Sequence, residues 1–190
     1  MTEKPMINLV MLGDIDYGKS TLAGRLYSEL GFIPQEKLDR MAKHAKMLGR
    51  PDAKYAYIMS KTLQERQRGI TIELSYKGFE TPNRRINLID APGHAEFMRN
   101  MITGAANADA AALMIDVEKV VGNKISSQTK EHVSVAYVFG MNQFLVLINK
   151  MDAIKYSEKI YNEVKAQISQ FLKEIGFEHV DKFEYIPISA

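Results

Sequence analysis

Residues 12–21 read LGDIDYGKST and place glycine, lysine and hydroxyl side chains at a spacing that could hold a phosphate group. Gly13, Gly18, Lys19 and Ser20 fit the pattern Gly-x-x-x-x-Gly-Lys-Ser, between a strand-like apolar run and a helical pattern. The two glycines would let consecutive backbone N–H groups turn inward around phosphate oxygens. Lys19 would add a positive charge for the β and γ phosphates, and the Ser20 hydroxyl would bind Mg²⁺. The alternative is an ordinary strand-to-helix turn that needs glycine.

Two later segments could bind the metal ion and the last phosphate of the same ligand. The sequence DAPGH begins at Asp90 after a predicted strand, so that Asp90 could reach the metal through water while the Gly93 N–H faces a γ phosphate. The sequence RGITI is predicted to open a strand with Thr71, whose hydroxyl could complete an octahedral metal site. Each segment is a weak indication alone, but their order along the chain favours a nucleotide site.

The sequence NKMD, which starts at Asn149, indicates which base the site would select. It ends the most hydrophobic predicted strand, where ligands bind in open α/β sheets. Asp152 could accept hydrogen bonds from guanine N1–H and N2, whereas adenine has neither donor and would leave the carboxylate unpaired. Asn149 would hold loops together or contact N7, the Lys150 stem would cover one face of the base, and the Ala190 N–H, next to Ser189, would meet O6. The sequence therefore predicts GTP or GDP with Mg²⁺.

Strand-like and helix-like segments alternate along the chain. Short apolar β-rich runs alternate with amphipathic stretches at 19–30, 94–106, 126–139 and 157–175. The exception is a pair of strands, ITIELSYKGFE and RINLIDA, whose TPN link at 81–83 is short enough for a hairpin. We therefore predict an α/β fold with a mostly parallel six-stranded sheet, one antiparallel edge strand and helices on both faces.

Residues 32–68 form an unusually long connection between the first predicted helix and the second predicted strand. Two helices are predicted within it, and such an insertion is more often functional than padding. Residues 36–68 hold nine Lys or Arg and four Asp or Glu, a net charge of +5. A basic segment of this kind could contact RNA phosphates; a pair of solvated helices is the alternative.

Composition indicates one soluble domain. The 190 residues are 46% hydrophobic and 25% charged, with a net charge of +2 that argues neither for nor against nucleic acid. No cysteine is present, which fits a reducing cytoplasm. The apolar runs have the length of strands and the N-terminus lacks a signal pattern, so we expect a cytoplasmic protein without a membrane segment.

The motifs, in this order, resemble the translational GTPase family of elongation factor Tu and elongation factor 1-alpha. The resemblance rests on 54–73, 90–116, QTKEH at 128–132 and 149–177, and the 1-alpha side fits better. It implies the P-loop NTPase fold of Ras-like G domains, slow intrinsic GTP hydrolysis and a monomer. It covers the first of three family domains, so 1–190 is expected to be a single, isolated or truncated GTP-binding domain without the β-barrels that help bind tRNA.

The resemblance also implies roles for individual residues. The histidine after Pro-Gly, His94, would orient the attacking water, while Lys19 and Mg²⁺ stabilise the charge of phosphoryl transfer. Ile15 and Ile70 would form an apolar gate that keeps His94 away until the ribosome docks. The expected catalytic residues are His94, Lys19, Gly93 and Thr71; the nucleotide-binding residues are Asp16, Gly18, Lys19, Ser20, Thr21, Asn149, Lys150, Asp152, Ser189 and Ala190; the metal ligands are Ser20, Thr71 and Asp90.

The resemblance implies partners as well. Residues 32–68 would be a first switch, ordered by GTP and Mg²⁺ through Thr71. The full-length family binds the ribosome and aminoacyl-tRNA, which this chain alone should bind weakly, and a nucleotide-exchange factor is a further expected partner. The alternatives are a non-catalytic GTP- or GDP-binding module, a release or ribosome-rescue factor, and the GTPase subunit of sulfate adenylyltransferase.

Several residues depart from the family pattern. Asp14 and Tyr17 stand where the family loop commonly has histidines, Lys130 stands for a usual arginine, and 117–127 is atypical. These differences leave nucleotide binding intact but question coupling to the ribosome. His132, beside Lys130, is expected to pack or cap within its own helix.

Overall fold

The computed structural model describes residues 4–122 and 125–190. The described residues form one six-stranded sheet in the order β2-β3-β1-β4-β5-β6, in which β2 is antiparallel to β3 and the other neighbours are parallel. The strands are β1 Met6–Leu12, β2 Ser75–Glu80, β3 Arg85–Asp90, β4 Ala110–Asp116, β5 Phe144–Asn149 and β6 Glu184–Pro187. The predicted parallel sheet with one antiparallel edge strand is confirmed.

Helices cover both faces of this sheet. They are α1 Lys19–Glu29, α2 Gln35–Met47, α3 Ala56–Met59, α4 Leu63–Arg68, α5 Met98–Ala106, α6 Val117–Val120, α7 Ser127–Val138 and α8 Glu158–Ile175, with short 3₁₀ turns at Pro51–Lys54, Ala95–Phe97 and Val180–Lys182. Within the described part of the chain, none of the helices has both the length and the apolar character that crossing a bilayer requires.

The central strands are apolar along their whole length because helices pack on both of their faces. Successive residues of β1 point to opposite sides: Val10 joins the larger core with residues of α5, α7 and α8, while Met11 joins a second core with Ala23 of α1. Met114 of β4 belongs to that second core, and Ile115 to the first. This double burial holds the ends of the central strands in place for the loops that follow them.

The insertion at 32–68 contains three α-helices and a 3₁₀ turn, so the prediction of two helices was wrong. The helix α2 ends before Gly49, which has a positive φ of 71°. Thr62 starts a separate helix, α4, because its side chain accepts the Glu65 N–H while the Glu65 carboxylate accepts the Thr62 N–H. These caps divide the segment into more helices than the two that were predicted.

The strand β2 begins at Ser75, so the prediction that Thr71 opens this strand was wrong. Thr71 lies in a loop before β2. The N–H groups of Ile72 and Glu73 donate to the side chain of Glu65 at 2.9 and 3.1 Å instead of pairing with a neighbouring strand. A side-chain acceptor therefore replaces the sheet ladder over these residues.

Candidate nucleotide-binding site

The predicted motifs meet at one edge of the sheet because they follow strands that run in parallel. The loop at 13–18, here called the phosphate loop, follows β1, and 91–94 follows β3. Residues 150–152 follow β5, and 188–190 follow β6. The carboxyl ends of parallel strands share one edge, which is where open α/β sheets bind ligands.

Two glycines give the phosphate loop its shape. Gly13 has a φ of 135° and Gly18 a φ of 94°, a region that favours glycine. A Cβ on Gly13 would lie 2.6 Å from the Met114 carbonyl oxygen, and one on Gly18 would collide with the Asn149 side-chain amide. Gly18 is also the N-cap of α1, so the N-terminus of this helix opens toward the loop, where it favours an anion.

Lys19 places a buried cation against the phosphate loop. Its Nζ donates to the carbonyl oxygens of Gly13 and Asp14, at 2.8 Å in each case. Burial lowers the pKa of Lys19 to about 8, although the carboxylate of Asp90 opposes this change. Gly93 packs so closely that a Cβ there would strike the ammonium group. A phosphate bound at this point would stabilise the charged form of Lys19.

Three oxygen-bearing side chains could hold a magnesium ion. The Ser20 Oγ lies 2.8 Å from the Thr71 Oγ1, although these residues are far apart in the sequence. Asp90 is fully buried, and within the described residues no hydrogen bond of good geometry reaches either of its carboxylate oxygens. Burial raises its pKa to about 6, an effect that the nearby Ser20 hydroxyl and Lys19 oppose. A cation would satisfy this carboxylate. Mg²⁺ commonly combines one or two protein carboxylates with water and substrate phosphates, so these residues fit it.

This site would not be found by looking for clusters of carboxylate or imidazole ligands. Among residues 4–122 and 125–190, no group of three His, Cys, Asp or Glu side chains is placed to hold a metal. The metal set expected from the sequence, Ser20, Thr71 and Asp90, instead has two hydroxyls and one carboxylate. Such a set leaves coordination positions for the oxygens of a bound phosphate.

Asn149 ties together the loops that would surround the base. Its side-chain Nδ2 donates to the Tyr17 carbonyl oxygen at 2.8 Å, and its Oδ1 accepts the Ala190 N–H at 3.0 Å. The Ala190 N–H, expected to meet guanine O6, is thus bound to Asn149 in this structure. The Ser189 Oγ donates to Asp152 Oδ1 at 2.6 Å, which orients the carboxylate expected to read the base.

Lys150 has an ion-pair partner that sequence reasoning missed. Its Nζ lies 2.6 Å from the Oδ2 of Asp116, whose side chain is only 1% exposed. Asp116 ends β4 and pairs in register with Asn149. The pair fixes the stem of Lys150, which was expected to cover one face of the base. The position of Asp116 at the carboxyl end of a central strand is the sequence feature that could have revealed it.

A cavity of about 430 Å³ is lined by the phosphate loop, by Ser20 and Thr71 of the expected metal site, and by the insertion. Its wall includes most of the residues expected to act on the phosphates: Ile15, Asp16, Gly18, Lys19, Ser20, Thr21, Ile70, Thr71, Gly93 and His94. Arg50, Tyr57 and Glu65 of the insertion also line it. The insertion therefore contributes to the wall of the cavity in which the terminal phosphate would lie.

His94 lies on this cavity with both residues of the expected apolar gate. Its side chain is 43% exposed, and its Nδ1 accepts the Glu96 N–H at 3.2 Å. Its ring centroid lies 6.0 Å from that of Phe97. Ile15 and Ile70 line the same cavity. The structure thus brings the expected catalytic histidine and gate together with Lys19.

Two residues near the phosphate loop face the protein interior. Tyr17 is 1% exposed and belongs to the core that includes Met114, with the Lys119 Nζ 5.1 Å from the centre of its ring. His132 is fully buried, and its Nδ1 accepts the Gly13 N–H at 3.3 Å. Sequence reasoning kept His132 within its own helix, and no local pattern could have revealed a partner 119 positions away.

Comparisons with known proteins find a matching family model and related curated proteins. A family model described as the elongation factor Tu GTP binding domain matches residues 4–190. Elongation factor 1-alpha of Ignicoccus hospitalis is 43% identical over 193 residues, which cover 99% of this chain and 43% of that protein. The same factor of Methanoculleus marisnigri is 45% identical, over 99% of this chain and 43% of that protein. The chain thus spans less than half the length of these relatives.

Solved structures share the fold. The GTPase-like domain of S. cerevisiae Ski7, bound to GTP, matches 99% of this chain and 43% of its own with a TM-score of 0.82 and 22% sequence identity. The bacterial selenocysteine-specific elongation factor EF-Sec matches 97% of this chain and 26% of its own, with a TM-score of 0.68 and 24% identity. These two likenesses concern the fold alone. The match over residues 4–190 goes further and confirms the resemblance noted from the motifs: the chain belongs to the family of elongation factor Tu GTP-binding domains.

Proposed function

We propose that this chain binds GTP and GDP with Mg²⁺ and hydrolyses GTP, as the GTP-binding domain of a translation elongation factor. The observation that carries the proposal is the meeting of the Ser20 and Thr71 hydroxyls, 2.8 Å apart, on the cavity that Lys19 and His94 also line. A buried cation, paired hydroxyls and a histidine around one cavity suit phosphoryl transfer to water. The relatives named elongation factor 1-alpha support the role in translation.

Selection of guanine depends on Asp152. Its Oδ1 already accepts the Ser189 hydroxyl, and a carboxylate has further lone pairs for guanine N1–H and N2. Adenine offers no donor at these positions, so ATP would leave the carboxylate unsatisfied. Asn149 keeps the base-binding loops at a fixed distance from the phosphate loop through its bond to Tyr17.

Hydrolysis requires that charge on the phosphates is stabilised and that a water molecule is oriented. Ser20, Thr71 and Asp90 would hold Mg²⁺, which would supply positive charge to the β and γ phosphates. Lys19 and the N–H groups where the phosphate loop enters α1 would donate to the same oxygens. His94 orients the attacking water. Ile15 and Ile70, which line the same cavity, would keep its ring away from the phosphate until a partner moves it, which supports a slow intrinsic rate.

The larger protein would supply further partners. We expect the chain to act as one domain in the cytoplasm, as a monomer, with 32–68 as a switch that responds to the nucleotide. Exposed Lys37, Arg40, Lys43 and Lys46 on α2 support contact with ribosomal or transfer RNA. The 190-residue chain by itself should bind aminoacyl-tRNA weakly and lose that binding steeply with salt. A nucleotide-exchange factor is also expected.

One experiment tests the central proposal. Calorimetric titrations with GTP, GDP and ATP, each with Mg²⁺, should show tight binding of the two guanine nucleotides and none of ATP. Single-turnover hydrolysis of bound GTP, with and without ribosomes, separates an enzyme from a non-catalytic nucleotide-binding module. Equal binding of ATP and GTP would contradict the assignment of Asp152. Guanine-nucleotide binding without any hydrolysis would favour the non-catalytic module.

A further inference from the structure

Glu65 is a buried carboxylate at the centre of the insertion. Its side chain accepts four backbone N–H groups, although the residue is only 2% exposed. Its Oε2 accepts from Lys61 and Thr62, at 2.7 and 3.0 Å. Its Oε1 accepts from Ile72 and Glu73, at 2.9 and 3.1 Å. Glu65 thus closes the chain from 61 to 73 into a loop around its own carboxylate.

The two oxygens of Glu65 serve different segments. Oε2 accepts the N–H of Thr62 and so completes the capping box of α4, a contact that is part of every capping box. Oε1 binds the two residues that directly follow Thr71, and nothing in helix capping requires this contact. The Ile72 carbonyl oxygen in turn accepts the Asn100 side-chain Nδ2 of α5 at 2.7 Å. The backbone after Thr71 is therefore held on both its N–H and its C=O side.

Holding this backbone determines where the Thr71 hydroxyl lies. Thr71 precedes the anchored peptide of Ile72, and its Oγ1 lies 2.8 Å from the Ser20 Oγ. The loop has no sheet partner over these residues, since β2 starts only at Ser75. Without the Glu65 contacts, the loop would lose the acceptors for two N–H groups, and the hydroxyl would be free to leave Ser20.

We propose that Glu65 is a positioning residue: its Oε1 holds Thr71 beside Ser20 and so favours the GTP-bound over the GDP-bound chain. The inference rests on the proposed function, because it assumes that Thr71 contributes to the metal bound with the γ phosphate. GDP lacks that phosphate, so its binding depends on the phosphate loop and the base loops, which Glu65 does not touch. A contact that stabilises the chain only when GTP is bound raises the affinity for GTP relative to the affinity for GDP.

The test compares Glu65→Gln with Thr62→Ala in the full chain with Mg²⁺. A glutamine has one oxygen and one amide nitrogen, so it must abandon either the cap of α4 or the N–H groups after Thr71. Thr62→Ala removes the side-chain acceptor of the Glu65 N–H and leaves the carboxylate contacts in place. The probes are GDP and a non-hydrolysable GTP analogue, both measured by calorimetry.

We expect Glu65→Gln to weaken the GTP analogue by about tenfold or more and to change GDP binding by less than about twofold. Thr62→Ala should weaken both nucleotides equally, if at all. Asn100→Ala, which frees the Ile72 carbonyl group, should lower the preference for the analogue in the same direction. It decides the matter if Glu65→Gln does not fold or keeps its amide oxygen on the N–H groups of Ile72 and Glu73. Equal losses for both nucleotides in the two variants, or an unchanged preference in both, would overturn the inference while leaving nucleotide binding itself established. Failure of the unsubstituted chain to bind GDP would instead overturn the proposed function, and the inference with it.

Discussion

The imidazole Nδ1 of His132 lies 3.3 Å from the backbone nitrogen of Gly13 and accepts its hydrogen bond. The Nε2 of the same ring lies 3.0 Å from the side-chain amide of Gln128, one turn earlier in α7. The first N–H of the phosphate loop is therefore directed to the protein interior and not to a ligand. An acceptor at Nδ1 requires a neutral ring, because a protonated imidazole has donors only.

This contact predicts a pH-dependent stability. Burial lowers the pKa of His132 from 6.5 to about 4. In the unfolded chain the imidazole therefore becomes protonated below about pH 6.5, whereas in the folded chain it stays neutral down to about pH 4. The contribution of neutral His132 to the free energy of unfolding is therefore complete above pH 6.5 and is lost as the pH falls toward 4. From the shift, the free energy of unfolding should fall by about 2 kcal/mol between neutral pH and pH 5 through this group.

Urea unfolding at several pH values checks the expectation. His132→Gln should be less stable than the unsubstituted chain at pH 7.5, but its stability should change less between pH 7.5 and 5. His179→Gln, at an exposed histidine, serves as the control, and its free energy of unfolding should change with pH as it does in the unsubstituted chain. If the free energy of unfolding changes equally with pH in the unsubstituted chain and in His132→Gln, the buried ring is not the group that titrates.

A second prediction concerns the choice of base. In Asp152→Asn, the amide would present a donor where guanine also has donors, whereas xanthine offers the acceptor O2. The variant should lose at least about tenfold in GTP affinity and should come to prefer xanthosine triphosphate. Ser189→Ala removes only the hydroxyl that orients Asp152 at 2.6 Å, so it should weaken GTP less and keep the preference for guanine. Competition binding with the two triphosphates measures both changes, and a variant that still prefers guanine would refute this role of Asp152.

A third prediction separates the metal site from the water site. Ser20→Ala should weaken nucleotide binding in Mg²⁺ and have little effect when EDTA removes the metal. His94→Ala should leave GTP affinity within about twofold, since its side chain is half-exposed and its Nδ1 contacts the nearby Glu96, but it should reduce ribosome-stimulated hydrolysis. Affinity by calorimetry and single-turnover rates distinguish the two. Similar losses of binding in both variants would contradict this division of roles.

Much of the fold could be predicted because its causes are local. Apolar runs with β-branched residues predicted the parallel strands, and the strand-loop-helix pattern around Gly13 and Lys19 predicted the phosphate loop. Since parallel strands end at one edge, the order of the motifs also predicted that Asp90 and Asn149 would meet that loop.

The parts that escaped prediction depend on partners distant in sequence. The late start of β2 at Ser75 arises because Glu65 takes the N–H groups that a strand would have used. The Asp116 partner of Lys150 and the Gly13 partner of His132 are set by the packing of whole elements. No periodicity or motif records these pairings, although the position of Asp116 at the carboxyl end of a central strand indicates that it lies near the site.

The last prediction concerns Asp14, a negative charge next to a loop that would bind phosphates. Its Oδ1 accepts the N–H of the adjacent Ile15 at 2.6 Å, so the carboxylate is turned onto its own backbone. Its charge still opposes an anion: at ~8 Å and an effective dielectric constant near 20, the repulsion of one phosphate charge is about 2 kcal/mol before screening. Asp14→Asn removes the charge and keeps an acceptor for Ile15, so it should strengthen GTP and GDP binding by up to about tenfold, and less at high salt. Asp14→Ala also removes the acceptor for the Ile15 N–H, so its nucleotide affinity should increase less than that of Asp14→Asn. Titrations of all three chains at low and high salt measure the difference; a loss of binding in Asp14→Asn would mean that the carboxylate contributes to the site through its charge.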